Sequence, residues 1–210
     1  MLVRWIKDRM GHPLEAYLEI EVRDANRKLL TFRKAKAKSF LEPFLGLIRG
    51  QFACDGNAIV IDTSGTTRTY PYGGSDFLSS SGIYINSGFG DSSFGLVVGS
   101  SDAPNTVNQY TMGAIITNGT GAGQLSYGTH TIENPQNPPN TNYWMFKIIR
   151  TFTNNSTSSV TVKEIGLIVK CKDSGNALRY WLIARDVINP VTVPSGSTLT
   201  VRYIFKITVS

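Results

Sequence analysis

The sequence has few of the residues from which metal sites and nucleophile sites are built. Its only histidines are His12 and His130, its only cysteines are Cys54 and Cys171, and no His-x-x-x-His or Cys-x-x-Cys spacing occurs. A three-ligand metal site would have to combine residues from distant parts of the chain. We therefore predict no metal, no cofactor and no catalytic site, and ordinary surface or hydrogen-bonding roles for both histidines.

Features of membrane proteins and of nucleotide-binding proteins are also missing. No stretch approaches the roughly 20 consecutive apolar residues needed to cross a bilayer, so no membrane partner is expected. The charged residues within 1–11 disfavour a cleaved secretory signal. The segment 119–124 is rich in glycine but lacks the Gly-Lys-Ser/Thr of a phosphate loop, and no helical pattern follows it. It is predicted to be a flexible turn.

The two cysteines leave three states open. Cys54 and Cys171 lie far apart in the sequence, and they can be buried thiols, form a single disulfide, or do neither. Buried thiols are the favoured interpretation, because a free cysteine behaves as a small apolar residue.

Charged residues make up only 17% of the sequence, and the basic ones are concentrated at its start. Residues 1–50 contain eleven Lys and Arg against six Asp and Glu, whereas residues 69–146 contain no Lys or Arg. Three of the lysines alternate with alanine, so an extended chain would place them all on one face. The predicted interface residues are Arg27, Lys28, Arg33, Lys34, Lys36 and Lys38.

This basic segment is predicted to dock on an acidic neighbour or to be a solvated face. Phe32 and Phe40 are the only aromatic residues near it that could stack on bases. Contact with nucleic acid is therefore possible but not favoured, since binding of single strands usually combines cations with several aromatic platforms.

The composition and the local patterns predict a mainly β chain with one helix. Residues 17–23 and 28–32 read as the two strands of an N-terminal hairpin joined by the Asx-containing turn 24–26. Ser39 and Glu42 match a capping box, and an apolar helical pattern follows as far as Gly50. Residues 58–62 and 68–72 are predicted to be short strands.

The segment 73–140 is rich in glycine and serine and gives weaker signals. Short strands are suggested at 83–85, 95–98, 110–116 and 124–127, and the segment is either a set of long surface loops or several short strands joined by turns. Stronger patterns follow it. Residues 143–152 and 160–171 are predicted to form a long hairpin with a β-bulge near Lys163 and Glu164, because the alternation changes phase there.

The last strand has the clearest alternation, with apolar residues at every second position from Leu199 to Val209. Such a strand buries one face and exposes the other. We predict an antiparallel β-sandwich or jelly-roll, divided into a basic hairpin and helix at 1–52, which would act as a docking arm, and a β-sandwich domain at 53–210. Strand 177–188 includes Arg185 and Asp186, which are predicted to close a local ion pair or to bond a loop, in preference to forming a reactive site.

Three segments resemble parts of known virion proteins. The first is 21–44, in the N-terminal hairpin and helix, and the second is 152–167, in the predicted long hairpin. The third is 182–201, which leads into the last strand and has the sequence LIARDVINPVTVPSGSTLTV. These segments are similar to those of small β-sandwich virion structural proteins of tailed bacteriophages and related prokaryotic viruses. The resemblance implies a capsid, neck, tail or baseplate subunit in the virion, whose partners are other copies and other virion proteins.

Two other functions are compatible with the sequence. A carbohydrate-binding or host-attachment module could use the aromatic residues of the middle region, which are Tyr70, Tyr72, Phe77, Tyr84, Phe89 and Phe94. A β-sandwich glycoside hydrolase would need two carboxylates about 5 to 10 Å apart in a cleft. The sequence favours the virion protein over the glycan-binding module, and the glycan-binding module over the hydrolase.

Overall fold

The structure, a computed structural model, describes residues 14–37, 40–53, 57–70, 83–106 and 108–208. Within these ranges the chain is mainly β, and every pair of strands is antiparallel. None of the described residues forms a helix long and apolar enough to span a membrane. The elements are β1 (Leu14–Arg23), β2 (Leu29–Lys36), α1 (Glu42–Ala53), β3 (Ala58–Ile61), β4 (Thr67–Tyr70), β5 (Gly95–Gly99), β6 (Ser126–Ile132), β7 (Tyr143–Thr153), β8 (Val160–Lys172), β9 (Leu178–Val193) and β10 (Thr198–Thr208).

Two sheets face each other across one apolar core, as predicted for a β-sandwich. The first sheet has five strands in the order β2-β1-β10-β7-β6, and the second has three in the order β5-β8-β9. Leu18 and Val201 from the first sheet and Leu167 and Leu182 from the second are all buried in this core. A hydrogen bond of 3.3 Å from the Tyr203 hydroxyl to Asp186 Oδ2 joins the facing sides.

A third layer covers the other face of the three-stranded sheet. It contains α1, the small β3–β4 hairpin and the loop segments around 101–105 and 112–114. Tyr70 of β4 packs edge-on against Trp181 of β9, with ring centroids 5.9 Å apart. Because both faces of β8 and β9 are covered, residues 164–169 and 181–186 form continuous buried runs, which are typical of strands inside a protein.

The predicted hairpin of residues 143–152 and 160–171 is wrong, because its two strands lie in different sheets. β7 pairs with β10 and β6, whereas β8 pairs with β9 and β5. The connecting segment crosses from one sheet to the other, and the buried side chain of Asn154 holds it by donating to Ser158 O and Val193 O, each at 2.8 Å. Alternation of apolar residues specifies the face that a strand buries but not its partner.

Several other predictions are confirmed. The β-bulge lies between Val162 and Glu164, the helix is present and ends three residues beyond Gly50, and the turn after β1 forms at the predicted place. In contrast, segments 83–85 and 110–116 form single bridges instead of strands. Residues 38–39, which include the predicted helix cap Ser39, lie outside the described residues.

The N-terminal hairpin is continuous with the sandwich. β1 lies between β2 and β10, and it pairs with β10 over its full length from Leu14↔Ile207 to Arg23↔Thr198. The predicted division at residues 52 and 53 therefore does not coincide with a break in the sheet, and the part of the hairpin that projects is its outer strand, β2.

Three hairpins share one turn geometry, each opened by an aspartate. In the turns that start at Asp24, Asp62 and Asp173, Oδ1 of the aspartate accepts from the backbone N–H groups two and four residues later. The fourth residue of each turn has a positive φ, which is 64° at Arg27, 80° at Gly65 and 66° at Asn176. Glycine adopts this conformation most easily, asparagine less so, and arginine least.

Replacing Arg27 by glycine should stabilise the protein. Arg27→Gly relieves the left-handed backbone strain of a side chain with a Cβ, so the free energy of unfolding should rise by about 0.5–1 kcal/mol. Urea denaturation measures the change. Lys28→Gly is the matched control: Lys28 has no positive φ, so the added backbone freedom of glycine should lower stability there. A loss of stability in both variants would contradict the proposed strain.

Candidate interaction surface

A fully buried ion pair joins Arg185 of β9 to Glu164 of β8. Arg185 Nε lies 2.5 Å from Glu164 Oε2, and the two side chains are 1% and 0% exposed. The Arg185 guanidinium also donates to Asn105 Oδ1 at 2.5 Å and to Ala103 O at 3.0 Å. Arg185 therefore forms hydrogen bonds to a loop, which was one of the two predicted alternatives. It does not pair with Asp186, since successive strand residues point to opposite faces.

Glu164 completes this network from the other side. Its carboxylate accepts the backbone N–H of Ala114 at 2.7 Å, of Gly113 at 3.1 Å and of Ser101 at 3.4 Å. The pair thus ties two stretches of the glycine-rich region to the central strands. Every polar atom of the pair is engaged within the protein, so the arrangement indicates a structural role and leaves no group to bind substrate.

A second buried cluster closes the side of the sandwich where β5 and β6 meet. Arg150 of β7 donates to five carbonyl oxygens, including Leu96 O at 3.0 Å and Gly128 O at 2.8 Å. His130 of β6 accepts the N–H of Leu96 at its Nε2, at 2.7 Å, and its Nδ1 lies 3.2 Å from Ser87 O. These bonds assign a neutral histidine that carries its proton on Nδ1.

His130 and Ser87 are too enclosed to work as a nucleophile and its base. The hydroxyl of Ser87 is 3.2 Å from His130 Nδ1, but both residues are buried and the other ring nitrogen is occupied by a backbone N–H. Burial lowers the pKa of His130 to about 4, and the positive charge of Arg150 acts in the same direction. The predicted hydrogen-bonding role of this histidine is confirmed.

The predicted interface residues lie on the β1–β2 hairpin. Arg27 and Lys28 are in its turn, while Arg33, Lys34 and Lys36 are on β2. Lys38 lies outside the described residues. All the described members are exposed, so the structure brings them together on one solvent-facing hairpin.

The charges on this strand are partly neutralised by β1. Lys34 Nζ lies 2.8 Å from Glu19 Oε1, and Lys36 Nζ lies 2.6 Å from Glu15 Oε1. The hydrogen bond from the Lys36 ammonium lowers the pKa of Glu15. The outer face of the sheet therefore carries mixed charges in place of a continuous basic patch, which weakens the case for a phosphate backbone as ligand. Glutamates at alternate positions of β1 were the available sequence signal for this.

β2 is an edge strand exposed on both faces. Seven of its eight residues are exposed and Thr31 is half-buried, and even the apolar Phe32 is 52% exposed. Ala37 N donates to Ala16 O at 2.8 Å, which makes Ala16 and Ala37 a hydrogen-bonded pair. Because such pairs alternate along an antiparallel ladder, the backbone N–H and C=O groups of Phe32, Lys34 and Lys36 point away from β1.

A groove separates β2 from the edge of the three-stranded sheet. It has a volume of about 410 Å³, with buried Leu18 and Ile20 among its lining residues and segment 186–189 of β9 as its far wall. One hydrogen bond, from Arg33 Nη1 to Asn189 O at 2.8 Å, spans it. The described residues therefore leave a groove on the β2 side of the sandwich, whereas Arg150 and His130 fill the side where β5 and β6 meet.

A row of apolar side chains is exposed at one end of the five-stranded sheet. Leu14, Ile207 and Trp144 are direct cross-strand neighbours on β1, β10 and β7, and they are 43%, 46% and 52% exposed. Contiguous exposed apolar surface marks contact regions more often than scattered single residues do. The alternation in the sequence could assign these residues to strands, but it could not show that they lie at the exposed end of the sheet.

Of the aromatic residues considered for glycan binding, Tyr84 and Phe94 pack against each other, with ring centroids 5.7 Å apart. Tyr70 and Phe94 are buried in the core, whereas Tyr84 and Phe89 are exposed. Tyr72 and Phe77 lie outside the described residues. Tyr84 is also covered by Lys170, whose Nζ lies 5.4 Å from its ring centroid. The described members of this group therefore do not form a shared aromatic platform.

Other polar residues have structural roles. Asp62 accepts from Arg68 at 2.9 Å and Asp173 from Arg179 at 2.7 Å, each within its own hairpin. Cys171 is a free and buried thiol, as favoured from the sequence, while Cys54 lies outside the described residues. Among the residues that the structure describes, no group of three or more His, Cys, Asp or Glu is arranged to hold a metal ion.

Comparison of the chain with models of protein families, with curated protein sequences and with solved structures finds no match.

Neutralising Glu164 should destabilise the protein strongly. Glu164→Gln leaves the buried Arg185 charge uncompensated, which should lower the free energy of unfolding by about 3–5 kcal/mol. The control Glu19→Gln removes an exposed ion pair and should cost less than about 1 kcal/mol. Urea denaturation compares the two. The double variant Glu164→Gln/Arg185→Met should regain stability over Glu164→Gln; equal costs for the two single variants would contradict a structural ion pair.

Stability should fall between about pH 6.5 and pH 4 because of His130. In the unfolded chain His130 takes up a proton near its ordinary pKa of 6.5, whereas in the folded protein it does so only near pH 4. The contribution of the neutral His130 to the free energy of unfolding is therefore complete above about pH 6.5 and is lost as the pH falls towards 4. The full difference amounts to about 3 kcal/mol. Urea unfolding at several pH values, for the protein and for His130→Gln, measures it. An unchanged pH dependence in the variant would exclude His130 as the cause.

Proposed function

We propose that the chain is a non-enzymatic structural subunit of a virus particle, which assembles with other copies of itself or with other virion proteins through β2. The observation that carries the proposal is an edge strand of eight residues that is exposed on both faces. Soluble proteins usually shorten, cover or twist away such an edge, because its unpaired backbone groups are a template for another strand.

The geometry around β2 supports a docking role. The N–H and C=O groups of Phe32, Lys34 and Lys36 are directed outward, so an added strand could extend the sheet by regular hydrogen bonds. The lysines and arginines beside them disfavour indiscriminate aggregation while admitting a partner of opposite charge. The groove next to β2 offers apolar surface at Leu18 and Ile20 for side chains of that partner.

The virion context rests on the resemblance of three segments. In the fold these segments occupy the β1–β2 hairpin with the start of α1, the crossover into β8, and the β9–β10 connection. Most of their described residues belong to strands of the two facing sheets or to the connections between them. Detection of peptides of this chain in purified virus particles would test this part of the proposal directly.

The glycan-binding alternative has less support. Of its four described aromatic residues, Tyr70 and Phe94 are buried and only Tyr84 and Phe89 are exposed. Glycan recognition usually needs aromatic faces that are open to the ligand, and two of these four residues are closed off.

Association should depend on the outward N–H of Lys34. Lys34→Pro removes this donor without removing a hydrogen bond to β1. It should therefore raise the dissociation constant for self-association about tenfold or more relative to the unaltered protein. Lys34→Ala is the matched control, since it removes the same charge but keeps the N–H. Light scattering at about 0.01 M and about 1 M salt, where the Debye length falls from about 30 Å to about 3 Å, gives the mass of each species.

The outcomes separate cleanly. A defined oligomer that Lys34→Pro dissociates and Lys34→Ala retains supports assembly through β2. A protein that stays monomeric at both salt concentrations and is absent from virus particles would contradict the proposed function.

A further inference from the structure

The two edges of the five-stranded sheet differ in charge. β2, at one edge, carries Arg33, Lys34 and Lys36. β6, at the other edge, contains no Lys or Arg and is followed directly by Glu133. Glu133 has a loose ion pair with Lys147, at 3.5 Å, and both side chains keep about a quarter of their surface exposed, at 26% and 25%. β2 itself is therefore basic, with two of its lysines in contact with Glu19 and Glu15 of β1, and the β6 edge is neutral to acidic.

The β6 edge also directs backbone groups outward. Glu133 N donates to Lys147 O at 2.9 Å, so these two residues form a hydrogen-bonded pair and the N–H and C=O of Ile132 point away from β7. Nearer its start, β6 is covered, because Gly90 N donates to Tyr127 O. The open part of this edge is thus residues 129–133, where Ile132 is 45% exposed.

Charges at the two edges lie on the same face of the sheet. The strand registers pair Lys36 with Tyr17, Tyr17 with Ile204 and Ile204 with Lys147. Glu133 stands opposite Lys147 at the next position of the same ladder. Lys36 and Glu133 are therefore the two ends of one row of side chains across the outer face, separated by the full width of the sheet.

The strand directions allow the sheet to be continued by a second copy. Each of the five strands is antiparallel to its neighbour, so β2 and β6, which are four strands apart, run in the same direction. A copy placed edge to edge in the same orientation would bring its β6 alongside β2 as a parallel pair. The outer faces of the two copies would then be continuous, and Glu133 of one would meet Lys34 and Lys36 of the other.

Pairing of β2 with β2 of a second copy is less favourable. Such a joint would place the cations of one strand against those of its twin, and like charges across a strand pair are destabilising. The β2–β6 joint instead sets opposite charges against each other, which favours it both in energy and in selection of partner.

We infer that β2 of one copy pairs with the β6 edge of the next, so that five-stranded sheets join head to tail. This inference rests on the proposed function, for which it names the partner as a second copy of the chain. A heterologous contact of this kind generates a ring when the rotation closes and a filament when it does not.

Charge reversal tests the partner. Lys34→Glu/Lys36→Glu and, separately, Glu133→Lys should each raise the dissociation constant for self-association about tenfold or more. The triple variant, which reverses both edges, should restore association towards that of the unaltered protein. Lys163→Glu/Lys172→Glu, which reverses two charges on β8 of the other sheet, is the matched control and should have little effect.

Light scattering over a range of concentrations, with thermal unfolding to verify the fold of each variant, gives three readable outcomes. Restoration in the triple variant supports the β2–β6 joint. An association that Glu133→Lys leaves unchanged, or that the triple variant fails to restore, would overturn the joint while leaving assembly as a function. A protein that does not self-associate at any salt concentration would overturn the joint, and assembly with other virion proteins would then be tested by its presence in purified particles.

Discussion

The guanidinium of Arg150 determines how the two sheets meet. It projects from β7 into the space between the sheets and donates to carbonyl oxygens of Gly88, Asp91, Phe94, Leu96 and Gly128. Burial lowers the pKa of Arg150 to about 10, yet the group stays charged at neutral pH, so all five acceptors receive charge-assisted bonds. One side of the sandwich is closed by these bonds. On the opposite side, beside β2, the described residues line a groove, and a single bridge joins Phe40 to Ala184 of β9.

Buried charged side chains also hold loops in the middle of the chain, where there are few strands. The glycine-rich region contributes few strands, and its loops around 101–105 and 112–114 are held by Glu164 and Arg185 through bonds to backbone and to Asn105. Desolvating the ion pair costs much of what its attraction returns, so the pair fixes the position of these loops at little net gain in stability. The described part of this region is therefore held by contacts within one chain.

The sequence predicts the elements of the fold better than their partners. The helix, the bulge beside Glu164 and the alternation of β10 depend on local patterns, and each is present. The pairing of β7 and β8 was predicted wrongly because a polar turn between two strands suits a hairpin and a crossover equally well. The predicted strand 177–188 was too short, because β9 continues through Pro190, which an edge strand tolerates. For the candidate surface, the sequence located the basic residues, but it did not predict that Glu15 and Glu19 form ion pairs with two of them.

Folding places the basic and the Lys- and Arg-free parts of the sequence at opposite edges of one sheet. Along the sequence the charge distribution contrasts a basic start with a middle that lacks Lys and Arg, but in the sheet the same residues become opposite edges, four strands apart. Neighbouring strands are rotated by about 20–25° and are spaced about 4.8 Å apart, so a head-to-tail joint of ordinary twist would turn each copy by roughly 100–125° and advance it by about 24 Å. Those values describe a helical filament. A closed ring would require the joint itself to bend, and the inferred β2–β6 contact would involve only the short segment 129–133 of the β6 edge.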